Sequence, residues 1–160
     1  MIKPAWNSAM GLAQNADSLG TPALKLVGFQ LWIHGRQFPE SRDYWDGNWL
    51  NVTAHCGANG ASVWVSGTIV MVSDIAKWTT QCEALYESGQ GEAVLQPCEP
   101  NLLVTLRSSD QIGHILMRVE ITPDHMTQEH RIDFEIDQSY LPSLITQCRA
   151  IVAEYPILGE

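Results

Sequence analysis

His55 and Cys56 set a potential base beside a potential nucleophile. They fall in an alternating apolar/polar stretch, and neighbouring side chains on an extended strand point to opposite faces. The two therefore cannot form a nucleophile–base dyad, and Cys56 reads as a core thiol. Asp124, His125, Glu129 and His130 offer four ligand types for a metal, but they lie in a turn, where no helix brings both histidines to one face. They read as solvated loop side chains, and no metal or cofactor is expected. Asp43 and Asp46 could act as an acid/base pair, yet they sit in Asp43-Tyr44-Trp45-Asp46-Gly47-Asn48-Trp49, a turn that needs such side chains for its own backbone amides. Cys98, between Pro97 and Pro100, is the thiol expected at the surface. The glycines match neither phosphate-binding pattern, and there is no G-x-S-x-G elbow. No catalytic residue is assigned. An enzyme would have to assemble its site from dispersed groups such as Asp46, His55 and His114.

Charge points the same way. The chain of 160 residues carries a net charge of −9. Residues 1 to 90 hold five basic and seven acidic side chains, and residues 91 to 160 hold four basic and eleven acidic. An acidic surplus opposes binding to nucleic acid or to an anionic membrane, and it favours a basic protein partner through steering. Solubility alone would also use it. Asp133 and Glu135, expected on the outer face of their strand, are the candidate partner-binding residues.

The elements that must position these groups follow from hydrophobic period. A chain of this size buries roughly 70% of its unfolded surface, enough for one core without metal or disulfide. Residues 1–22 lack sustained periodicity and read as an N-terminal extension, with a single α+β domain over 23–160. Strands are expected from Leu24 to Ile33, from Trp49 to Cys56 and from Ala61 to Val72, the last two joined as a hairpin through the short connection Gly57-Ala58-Asn59-Gly60. A helix capped by Ser73 or Asp74 carries Ile75, Trp78, Cys82 and Leu85 inward and stops at Gly89.

Strands return at Ala93 to Leu95, Leu102 to Arg107, Ile112 to Ile121 and Arg131 to Ile136, separated by Pro-, Ser- and Asp-rich turns. A second helix from about Ser139 to Tyr155 tolerates Pro142 in its first turn, and Leu141, Leu144, Ile145, Cys148, Ile151, Val152 and Tyr155 form a broad apolar stripe. The helices share an echo, Thr80-Gln81-Cys82-Glu83-Ala84-Leu85 against Thr146-Gln147-Cys148-Arg149-Ala150-Ile151. Six residues do not separate duplication from chance, but they suggest similar placement on one sheet. The expected fold is α+β, a mainly antiparallel, curved sheet of about six or seven strands with two amphipathic helices. Trp6, Trp32 and Trp64 lie outside the clearest apolar stripes, which suggests a partly covered second face and a homodimer contact there. The rings of the tryptophan-rich turn are expected to pin it onto the sheet.

No apolar run approaches the ~18 residues of a membrane span. The N-terminus has neither the charged nor the continuous apolar region of a secretory signal, and four cysteines without a C-x-x-C pair suit reduced thiols. A cytoplasmic location is expected.

Tyr44-Trp45-Asp46-Gly47-Asn48-Trp49-Leu50-Asn51-Val52, then a hairpin into the helix from Asp74 to Glu87, then Glu99-Pro100-Asn101-Leu102, and an acidic strand leading to a closing helix with Tyr155-Pro156 form an ordered set. In this order the chain, over about Val27 to Pro156, resembles the WapI-type immunity proteins, small bacterial proteins linked to contact-dependent toxins. The resemblance implies a non-enzymatic protein that binds and neutralises a cognate toxin in the cytoplasm. It brings no shared set of toxin-contacting residues. The alternatives are a small structural or assembly domain, or an enzyme with the dispersed site above.

Overall fold

The structure is a computed structural model that describes residues 16–159. Trp6 and most of the 1–22 extension therefore lie outside the described residues. A 3-10 turn, Ala16–Leu19, leads into strand β1 (Leu24–Leu26), followed by β2 (Phe29–Arg36), the single helical turn α1 (Tyr44–Gly47), β3 (Trp49–Ala58) and β4 (Ala61–Met71). Helix α2 (Val72–Ser88) then leads to β5 (Glu92–Leu95), β6 (Leu102–Ser108), β7 (His114–Ile121) and β8 (Arg131–Asp137), and a second 3-10 turn opens helix α3 (Leu141–Glu154).

The fold is α+β and its strands pair antiparallel, as the alternation indicates. The strands form two four-stranded meanders, β1-β2-β3-β4 and β5-β6-β7-β8, instead of one continuous sheet. The expected first strand is broken into β1 and β2 by a tight turn, which raises the count to eight. At that turn Val27 takes φ 45°, a left-handed conformation uncommon for a β-branched residue. Gly28 follows because a methyl there would collide with the Gly57 carbonyl and the Phe134 ring. The break is stabilised by the Gly57 N–H, which donates to the Gly28 carbonyl at 3.0 Å.

Alternation sets the buried faces. Leu50, Val52, Ala54 and Cys56 of β3 enter the core, and so do Val104 and Leu106 of β6 and Ile115, Met117, Val119 and Ile121 of β7. Asn59 and Gly60, at φ 50° and 92°, close the β3–β4 hairpin with the left-handed pair that a two-residue turn requires.

Helix α2 is capped by the Asp74 carboxylate, which accepts from the Met71 N–H at 2.8 Å, and it ends on Gly89 at φ 68°. Ile75, Trp78, Cys82 and Leu85 of α2 and Leu141, Leu144, Cys148 and Ile151 of α3 are buried in one core with both sheets. The helices pack on each other. Each also lies on the opening strand of a different sheet, α2 on β5 and α3 on β1, so their placement is similar but not on one sheet. Gln81 accepts from the Val94 N–H at 2.7 Å, and Gln147 accepts from the Lys25 N–H at the same distance. β1 and β5 are edge strands, and these glutamines occupy backbone groups that would otherwise invite another strand.

Candidate functional site

The tryptophan-rich turn is built from its ends. Asp43 caps it, one carboxylate oxygen accepting from the Trp45 and Asp46 N–H groups at 2.9 and 3.1 Å. Asn48 is fully buried; its amide donates to the carbonyls of Tyr44 and Leu158, and its oxygen accepts from the Leu158 N–H at 2.9 Å. Arg36 donates to the carbonyls of Gly47 and Pro156 at 2.7 and 2.6 Å, with its guanidinium over the Tyr155 ring. Gly159, at φ 73°, lies so close to the Tyr44 backbone that a side chain there would collide with it. The turn is thus clamped to the C-terminal segment by polar groups. This corrects the expectation that its rings pin it: Trp45 is 66% exposed and meets only the edge of Tyr44 among the ring contacts. Trp49 is partly buried.

The outer face of the first sheet carries an aromatic and polar layer. Trp32 and Trp64 stack at 5.7 Å between centroids, and His55 stacks on Trp64 at 4.2 Å. The His55 ring nitrogens bond with Gln30 Oε1 and Ser62 Oγ, and burial holds its pKa below the ordinary histidine value. Trp32 Nε1 donates to the Gly20 carbonyl at 2.9 Å. With Trp32 and Trp64 only 6% and 8% exposed, these rings are internal packing and leave little area for a second copy. Cys56 points into the core on the opposite face, its thiol pushed up to about 11 by burial, so His55 and Cys56 form no dyad.

The other candidates stay apart. His55 and His114 line separate surface depressions, and Asp46 stands on α1. His114 Nδ1 pairs with Asp110 at the β6–β7 turn. Asp124 closes its own loop, accepting from the Met126 N–H and the Thr127 hydroxyl, while His130 bonds Gln128. Among the described residues no group of three or more His, Cys, Asp or Glu side chains is placed to hold a metal ion. Cys98 is the exposed thiol.

Asp133 and Glu135 project from β8, the free edge of the second sheet, on the face away from the core. Asp133 bonds Arg118 Nε at 2.9 Å, and Arg131 stands 3.9 Å away. The Arg118 bond holds the Asp133 carboxyl below the usual range. Glu135 has no cation within 4 Å among the described residues. Charged side chains along β8 also keep this edge from pairing with other chains.

Among the described residues no helix is long and apolar enough to cross a membrane. No curated protein and no solved structure matches the chain. The model of one family, described as the immunity protein WapI-like family, matches residues 24–156, from the start of β1 past the end of α3 and therefore both meanders and both helices. The chain belongs to the WapI-like immunity protein family.

Proposed function

We propose that this protein binds a cognate toxin domain in the cytoplasm and neutralises it by occupying its active surface. Family membership over residues 24–156 carries the reading. The charge pattern supports it: a surplus of seven acidic over basic side chains in residues 91 to 160 would raise the rate at which a basic partner meets this protein. Asp133 and Glu135 are the proposed steering residues. Glu135 contributes more at long range, because Asp133 is already compensated by Arg118 and Arg131. Steering acts on the association rate, so its loss changes how fast the complex forms more than how long it lasts.

The test is co-expression with a candidate toxin domain, chosen because its gene adjoins the gene for this protein. Cells that make this protein survive induction of that domain. Death of cells in which the protein accumulates normally would overturn the reading.

A further inference from the structure

We propose that Trp45, presented by the clamped α1 turn, is the anchor by which this protein holds its toxin, receiving a lysine or arginine side chain of the toxin domain on its indole face. The proposal rests on the immunity reading above and adds the surface that carries it.

The observations are independent of charge at first. A tryptophan left 66% exposed is a large apolar area given up to water, and its ring contact in this turn is an edge-on one with Tyr44. The turn is held by Asp43, Asn48 and Arg36, none of which acts through the Trp45 ring. Phe38, on the same β2–β3 connection, is also exposed, at 47%. The backbone below Trp45 is nevertheless fixed: Asn48 and Arg36 tie it at both sides to Leu158 and Pro156. A rigid backbone under an exposed aromatic removes much of the ordering cost of binding, and tryptophan is among the residues most enriched at the energetic centres of interfaces.

Charge then selects the partner chemistry. The connection carries the exposed carboxylates of Glu40 and Asp46 against the single cation Arg42 beyond the clamp. Asp43 spends its carboxylate on the cap. A cation on the indole face is attracted by the ring quadrupole, and carboxylates on the same connection favour its approach. An acidic or purely apolar partner would gain from the ring but lose at Glu40 and Asp46.

The experiment measures binding of the full-length protein to that candidate toxin domain by surface plasmon resonance at two salt concentrations. Trp45→Ala is expected to weaken binding by about thirtyfold or more, mainly through faster dissociation. Asp46→Asn with Glu40→Gln is expected to weaken it less and to flatten its salt dependence. Melting temperatures of the variants should stay near wild type, which separates contact loss from unfolding. Wild-type binding unchanged by Trp45→Ala would overturn the anchor and leave the immunity reading standing. A wild-type protein that does not bind the toxin domain would overturn both.

Discussion

Glu83 and Arg149 stand 66 residues apart in the chain and 2.8 Å apart across the helix pair. They occupy the same position in the two matching hexapeptides. Buried Cys82 and Cys148 precede them, and before those stand Gln81 and Gln147, each bonded to an edge-strand N–H. The molecule is two copies of one plan, four antiparallel strands and a helix, with α2 laid on the opening strand of the second copy and α3 on that of the first.

The glutamines give the first prediction. Gln81→Ala and Gln147→Ala each leave one strand N–H without its partner, and each should cost about 1 kcal/mol in denaturant unfolding. The Glu83–Arg149 pair is exposed on both sides, so a double-mutant cycle should return less than about 1 kcal/mol for it.

Asn48 and Trp45 should behave oppositely despite being three residues apart. Asn48→Ala removes three hydrogen bonds from a fully buried site and orphans the Leu158 and Tyr44 backbone groups. Thermal or urea unfolding should show a loss of about 2–3 kcal/mol. Trp45→Ala should shift stability by no more than about 0.5 kcal/mol, as at other exposed positions.

Acid should destabilise the protein through His55. Burial holds its folded pKa below the 6.5 of a free histidine, so as pH falls the unfolded chain takes up the proton first. Stability is full above 6.5, declines as pH drops from there to the folded value, and then levels. Melting curves across this range should show the step in wild type and its removal in His55→Gln, with the difference between the two proteins isolating this residue.

The thiols should divide one against three. Cys98 is exposed, whereas Cys56, Cys82 and Cys148 are buried and burial raises the pKa of each, that of Cys148 to about 12. A thiol reagent should titrate a single group in the folded protein and four after denaturation. Cys98→Ser should abolish the fast reaction.

Much of this fold was legible because burial and period agree. The stripes through Cys82 and Cys148 and the alternation from Leu50 to Cys56 describe the observed faces. The break of the first strand into β1 and β2 was not legible, because the turn at Val27 depends on Gly28 fitting against Gly57 and Phe134, residues far along the chain. The tryptophan-rich turn was legible as a turn but not in its anchoring. Composition suggests that rings hold it, while the clamp comes from Asn48 and Arg36 reaching Leu158 and Pro156 at the other end of the chain. Asp133 and Glu135 were legible as outward residues from strand alternation, yet the compensation of Asp133 by Arg118 needs the β7–β8 register.

We propose that this protein neutralises a toxin by stoichiometric binding. Titration of the purified candidate toxin domain with this protein, while the domain's activity is followed, separates inhibition by binding from every other reading. Saturable one-to-one binding is expected, with activity lost as the complex fills. Full toxin activity in a large molar excess of folded protein would contradict it.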